Sequence, residues 1–375
     1  MTNHIVVLGA GYAGLGAAKR AARRLRSTGV RVTLVNAADR FVERVRLHQL
    51  AAGQRLPDLP LAGLLDGTGV GLVVAQVTGL DLQARTVQLD GPPYTLSYDV
   101  LVYALGSAAD LDAVPGVREH AYPIATAGDA VRLRARLAGP GPVTVVGGGL
   151  TGIETAAELA ETRPGLRVEL LCAGPVAPGL SVRGRRHVLR AFARLGVVVR
   201  EHEPVAKVGP DGVLLESGDE LPARTVVWAG GFRVSPLAAA SGLRTDAEGR
   251  MVVDRSLRSV SHPEVFGIGD AAAPTGERPG ERSRMSCQTG LPMGLCTGDA
   301  VAGLVAGREP GPARFRHVWR NVSLGRRDGV TQFTRADDSP LDVVLTGRAS
   351  AAFKESIIRG TVQAMRHPGP YRPWA

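Results

Sequence analysis

Near its start the chain carries a short apolar run, IVVL at 5–8, then glycine at 9, 11 and 14, then the alanine-rich GLGAAKRAARRLRS. A β-branched run, a glycine break and a stretch of helix formers predict strand, turn and helix. Gly29 marks the expected helix end, and VRVTLVN predicts a second strand. Residues 72–106 predict short strands ending in YDVLVYALGS, a buried strand stopped by glycine. Residues 107–140 predict a connection, with a turn at Pro115-Gly116 and an arginine-rich helix over 127–138. The pattern then restarts: strand 143–146, helix 150–162, strand 167–172, and alternating strands and helices to TVVWAGG at 225–231. The tail, 313–375, predicts a hairpin and then a helix.

Both restarts carry the same spacing, Gly9-x-Gly11-x-x-Gly14 and Gly147-x-Gly149-x-x-Gly152. In such a turn the first glycine permits the tight bend, the second lets backbone approach a pyrophosphate, and the third lets helix pack on strand. The helix N-terminus then offers unpaired N–H groups and partial positive charge to phosphates. One such turn also serves as a plain connection, but two between a strand and a helix imply two dinucleotides. The economical pair is a flavin and a nicotinamide, FAD and NAD(P)H, with a hydride passing between them. The later segment VFGIGDAAA delivers Gly269-Asp270 at a helix start, where an acid can meet a flavin's ribityl chain or serve as an ordinary N-cap.

The expected fold is therefore α/β, with two Rossmann-like dinucleotide-binding domains and a small C-terminal hairpin-helix region. Residues 1–112 form the first part of the FAD domain, 113–140 a connection, and 141–248 the inserted NAD(P)H domain. Residues 249–312 return to the FAD domain, and 313–375 hold the hairpin and amphipathic helix.

Composition narrows the function. With 375 residues, 44% hydrophobic and 21% charged, the chain can bury a sizeable core. Net charge is +10, and all but three of the 45 basic residues are arginines, the exceptions being Lys19, Lys207 and Lys354. The arginines are scattered and aromatics are only 4%, which argues against nucleic acid. Three cysteines (Cys172, Cys287, Cys296) with no Cys-x-x-Cys exclude a redox-active dithiol of that type and fit a cytosolic setting. No metal site is expected. No apolar run reaches the length of a membrane span.

The pieces GAGYAGLGAA, YDVLVYALGS, VVGGGLTGIETAAELAE, TVVWAGGFRVSP, VFGIGDAAA and SLGRRDG together resemble the two-dinucleotide flavoprotein reductases. Within them the chain is most similar to the type II NADH dehydrogenases, over residues 5 to about 330. The resemblance implies that Gly9, Gly11, Gly14 and Asp270 hold FAD and that Gly147, Gly149 and Gly152 hold NAD(P)H. It puts Glu154 near the nicotinamide and the flavin ring, as the candidate catalytic residue. Ala10, Tyr12, Ala13, Asn36, Arg40, Gly106 and Gly269 complete the expected cofactor-binding set.

Several positions depart from this pattern. Asn36 stands where an acid commonly meets ribose hydroxyls, and an amide can bond them through donor and acceptor. Cys172 occupies the equivalent place in the second domain, with Arg183, Arg185 and Arg186 following, so NADPH competes with NADH. These arginines read equally as a solvated helix face. In SCQTGLPMGLCTGDA, Gln288 fits the first glutamine beside the flavin, while Pro292 and Met293 replace a second pair. Pro292 reads as a benign helix-start proline. Arg46 and His48, in FVERVRLHQLAAG, suggest a cationic or protonatable acceptor pocket, or for His48 a satisfied, half-buried histidine.

The expected function is an FAD-dependent oxidoreductase that takes a hydride from NAD(P)H and passes electrons to a small acceptor, by resemblance a quinone. Arg46, His48 and Gln288 are the candidate acceptor residues. A dedicated biosynthetic substrate and an NADH-sensing, signalling flavoprotein are the alternatives. The tail helix is expected to show an apolar stripe of Phe353, Ile357, Thr361 and Ala364 or Met365, packed on the core or on a second subunit of a homodimer. Weak peripheral membrane contact through its basic face is the minor option, which would put a cytoplasmic protein at the inner face of the membrane.

Overall fold

The opening apolar run becomes the central strand, His4–Leu8, buried at every position. In the computed structural model, which describes residues 4–275 and 284–366, this strand pairs in parallel with Arg31–Asn36 on one side and Val100–Tyr103 on the other. Val70–Val74 and Val265–Gly267 complete a five-stranded parallel sheet at its two edges. A strand buried on both faces gains about 1.5–3 kcal/mol per aliphatic side chain, which is why it reads as a continuous apolar run rather than an alternation. The helix after the glycine turn, Tyr12–Arg24, ends before Gly29. The Thr28 hydroxyl and N–H both bond Leu25 O, so a turn at 25–28 stops the helix, and Gly29 (φ 75°) only redirects the chain.

The second sheet repeats the plan. Gly141–Val146 pairs in parallel with Leu166–Cys172 and Thr225–Trp228, and Val198–Glu201 and Ala121–Pro123 take the edges. Ala121–Pro123 lies in the stretch expected as a bare connection; three residues are too short to announce a strand by periodicity. The helix expected at 127–138 is Ala127–Arg136, started by a reciprocal capping pair of Thr126 and Asp129. After Val198–Glu201 the alternation expected from sequence gives way to an antiparallel meander of Val205–Gly209, Gly212–Leu215 and Glu220–Pro222.

The C-terminal region is a three-stranded antiparallel sheet rather than a hairpin: Trp319–Ser323, Gly329–Thr334 and Pro340–Thr346. The tail helix Gly347–Arg366 packs on it and buries Ser350, Lys354, Ile358 and Met365, the last in the core of the first domain. Met365 meets the expectation, but Phe353, Ile357 and Thr361 do not: the rest of the buried face is rotated by about one position and includes a cation, Lys354. Lys19 Nζ donates to Arg366 O (2.9 Å) and Leu64 O (2.6 Å), tying the end of the tail helix to the first domain. The irregular end expected at 367–375 lies outside the described residues.

Helix Cys287–Val305 runs against Tyr12–Arg24. A Cβ on Gly294 would lie 2.0 Å from Ala13 O, and one on Gly298 2.8 Å from Ala17 O. Glycines at this four-residue spacing let the two backbones touch, and the Arg20–Asp299 ion pair (2.8 Å) locks them. Pro292 sits beyond the first turn, inside this helix, not at its start.

Candidate active site

The two glycine turns have the same geometry. In the first, Gly9 has φ 95°, and a Cβ there would meet Ala104 O at 2.4 Å; one on Gly14 would meet Gly9 O at 1.9 Å. In the second, Gly147 has φ 125° with Ala229 O at 2.4 Å, and Gly152 would strike Gly147 O at 1.9 Å. By contrast, a Cβ on Gly11 or Gly149 meets nothing within 4 Å. These middle glycines cap helices Tyr12–Arg24 and Leu150–Thr162, and neither helix has a side-chain cap. Their first-turn N–H groups therefore face open space, the environment a pyrophosphate requires.

Around the first turn, Asn36 Oδ1 accepts from Ala10 N (2.9 Å) and its Nδ2 donates to Ala38 O (2.7 Å). It braces the turn, and one lone pair is left for a ligand hydroxyl. Ala13 is buried, and Tyr12 packs edge-on against Phe41 with its hydroxyl buried and unpartnered. Gly106 has φ 68°, and Ser107 just after it donates to Asp270 Oδ2 (2.7 Å), with Arg44 at 3.7 Å. Asp270 follows Gly269 (φ 68°) in a single 3-10 turn. Arg40 is exposed and paired with Asp58 and Asp39. These residues fit a flavin nucleotide: an open phosphate turn, a held carboxylate, and orphaned buried polar atoms.

At the second turn Cys172 is buried, and burial beside Glu201 pushes its thiol up to about 11. It is therefore protonated and unreactive at neutral pH. The next strand does carry an acid there: Glu201 is register-paired with Cys172 and accepts from Val176 N (2.5 Å). Glu201 also pairs with Arg185, which with the backbone bond holds its carboxyl below the usual range despite partial desolvation. Arg183 and Arg186 are exposed.

Glu154 is buried at the junction of the two domains and the tail. Its Oε1 accepts from Ser323 N (2.9 Å) and from Lys354 Nζ, and its Oε2 lies 3.7 Å from His48 Nδ1. Two further acids on the same helix face, Glu158 and Glu161, meet Arg326: Glu158 Oε2 accepts from Arg326 Nε (2.9 Å) and Glu161 Oε2 from Arg326 N (2.6 Å). Burial raises the Glu158 pKa although Arg326 opposes it. The sequence singles out Glu154 but not its partners Lys354 and Ser323, nor Arg326 beside them. Acids at 154, 158 and 161 share one helix face, and that signal demanded cationic partners.

The acceptor candidates divide. His48 is buried, its Nε2 has no partner, and burial together with Lys354, Arg326 and Arg46 depresses its pKa well below the ordinary value. It is neutral at physiological pH, so it adds no charge to a pocket. Arg46 is largely buried and matched by Glu43 (3.2 Å) and Glu355 (2.8 Å). Gln288 Oε1 accepts from Val318 N (3.0 Å), while its buried Nε2 is unpartnered. Beside it, Cys287 is exposed and within electrostatic reach of Lys354, Asp270 and Tyr12. The short segment from Arg44 to His48 links the Glu154–Lys354 pair to the flavin-side residues: Arg44 Nη1 lies 3.7 Å from Asp270 Oδ2 and His48 Nδ1 3.7 Å from Glu154 Oε2. All three cysteines are free, and among the described residues no group of His, Cys, Asp and Glu is arranged to hold a metal.

The family model of the pyridine nucleotide-disulphide oxidoreductases matches residues 3–294. The chain belongs to that family. It is an NAD(P)H-dependent flavin oxidoreductase, and its cofactors are FAD and pyridine nucleotide. A NADH dehydrogenase-like protein of Mycobacterium tuberculosis is 38% identical over 317 residues, 78% of each chain. A type II NADH:quinone oxidoreductase of Staphylococcus saprophyticus is 28% identical over 365 residues, 87% of this chain and 88% of that one. Among solved structures, a sulfide:quinone oxidoreductase from Aquifex aeolicus superposes with TM-score 0.80 at 21% identity, covering 97% of this chain and 91% of that one. NDH2 from Plasmodium falciparum in complex with NADH does so with TM-score 0.80 at 14% identity, covering 98% of each. These superpositions match the expected α/β fold of two Rossmann-like domains.

Proposed function

We propose that this flavoprotein oxidises NADH and reduces a quinone-type acceptor, with Glu154 as the proton-handling group. The buried Glu154–Lys354 pair, joined to the Asp270 side through Arg44 and His48, carries the reading. Held by the flavin-side residues, FAD would supply the two-electron chemistry that links nicotinamide to acceptor. The balance is NADH, one further proton and quinone giving NAD+ and hydroquinone. The hydride brings two electrons and one proton, so a second proton must reach the acceptor's oxygens. In this reading Glu154 relays that proton, its carboxylate fixed at the junction by Lys354 and Ser323 N.

The first turn, Asn36 and Asp270 would hold FAD, and the second turn would hold the nucleotide's pyrophosphate. The reading favours NADH over NADPH because the Glu201 carboxylate, on the strand beside Cys172, would repel a 2′-phosphate, and Arg185 is already paired with it. Any membrane contact would be peripheral, since among the described residues no helix is long and apolar enough to cross a membrane. The test is anaerobic: bleach the flavin with NADH, then mix with quinone in stopped flow. Prompt return of flavin absorbance supports the reading; none with any quinone would end it.

A further inference from the structure

A cleft of about 780 Å³ lies between residues 43–59, the turn after Ser323 and one face of the tail helix. Its lining includes Ser323 and Lys354, the two groups that hold Glu154. Leu56, Leu59, Ile358 and Val362 contribute apolar wall. Eight cationic side chains line it against two carboxylates, Glu43 and Glu355.

Half of those cations are matched. Arg46 pairs with Glu43 and Glu355, Arg359 with Glu355, Arg326 with Glu158, and Lys354 with Glu154. The other half are not. Arg55, Arg327, Arg348 and Arg366 are exposed, and among the described residues none has a carboxylate partner for its guanidinium. They do not converge on one point. Arg348 and Arg366 lie at opposite ends of a 20-residue helix, about 27 Å apart along its axis at 1.5 Å per residue. Spread along a concave mouth, unmatched guanidinium groups act as a field: they concentrate anions at the entrance and speed their arrival.

We propose that the acceptor admitted by this cleft is anionic, bearing a carboxylate, sulfonate or phosphate beside its reducible ring. This rests on the reading that electrons leave to a quinone-type acceptor. The apolar wall receives the ring, the Glu154–Lys354 end handles the proton, and the arginine rim draws in the anionic substituent. The electron and proton balance is the one given above, with the substituent unchanged.

The test uses the full chain loaded with FAD, bleached anaerobically by NADH. It is mixed in stopped flow with a naphthoquinone and with its ring-sulfonated counterpart, at low ionic strength and in excess NaCl. The readout is the salt dependence of each rate, because sulfonation also changes the ring's potential. The sulfonate should return the flavin colour about tenfold faster at low salt than at high salt, and the neutral ring should change by less than about twofold. Replacing all four arginines (R55Q, R327Q, R348Q and R366Q) should abolish the sulfonate's salt dependence and leave bleaching by NADH unchanged. The pair R55Q/R327Q, which leaves the tail helix intact, should halve it on a logarithmic scale.

A sulfonate rate indifferent to salt would overturn the inference, as would salt dependence that survives the substitutions. So would arginine variants that only release the chain from phosphatidylglycerol vesicles, which would assign the rim to a membrane. If the neutral quinone alone restores the colour, this inference fails and the quinone reading stands; if neither does, both fail.

Discussion

Lys354 reaches from the tail helix to Glu154, 200 positions earlier in the chain, and both side chains are buried. Removing one partner of a buried pair strands the other charge, at a cost of about 3–5 kcal/mol, whereas replacing both with neutral groups can cost little. Lys354→Met should therefore lower stability by about that amount. Adding Glu154→Gln to the same chain should recover most of it. Urea unfolding of the two singles and the double reads this directly, and a double mutant as unstable as Lys354→Met would show that the pair is not the source.

The glycine turns allow a contrast within three residues. Gly152→Ala puts a methyl 1.9 Å from Gly147 O, so it must distort the second turn and destabilise the fold, by about 1–3 kcal/mol or more. Gly149→Ala meets no protein atom, so the fold and flavin content should be unchanged. Its methyl would instead occupy the space for the nucleotide's phosphates, raising KM for NADH by about tenfold, or 1.4 kcal/mol. Gly11→Ala should do the same to FAD retention. Thermal melting, flavin absorbance and KM distinguish these outcomes; an unchanged KM in Gly149→Ala would remove the second turn from nucleotide binding.

Glu201 and Arg185 bear on the choice of nucleotide. Glu201→Gln removes the carboxylate and frees Arg185 for a 2′-phosphate. The ratio of kcat/KM for NADPH to that for NADH should rise by about tenfold or more, a shift of 1.4 kcal/mol. Equal ratios in the variant and the parent would place selectivity elsewhere.

His48 gives a pH signature. Its folded-state pKa is depressed while the unfolded chain titrates near 6.5, so unfolding takes up a proton as pH falls through that region. The stability that neutral His48 contributes is complete above about pH 7.5 and shrinks as pH falls below about 6.5. Glu158, with a raised pKa, works in the opposite sense at lower pH, so the comparison must be between parent and variant. His48→Gln should flatten the loss of stability between about pH 7 and pH 5.5 relative to the parent. Parallel curves would show that His48 is not the titrating group.

The fold was legible where local chemistry decides it. Two strand-glycine-helix units gave both parallel sheets, because a continuous apolar run and a GxGxxG spacing allow few alternatives. Ala121–Pro123 was missed because three residues carry no period. The tail-helix stripe was misplaced because hydrophobicity alone cannot indicate that Lys354 faces inward; only a carboxylate 200 residues away makes that favourable. The same holds for Glu201, whose relation to Cys172 exists only in the register of two neighbouring strands. In the candidate site, residues whose place follows from turn geometry could be named from sequence, and residues brought by the C-terminal region could not.

The central claim is that Glu154 serves the delivery of electrons and protons to the acceptor rather than the uptake of hydride. Stopped flow separates the two halves in Glu154→Gln, a substitution that keeps the side chain's shape. The account predicts that NADH bleaches the flavin at the parent's rate, while quinone restores it roughly a hundredfold more slowly. Slowed bleaching with unchanged restoration, or no change in either half, would contradict it.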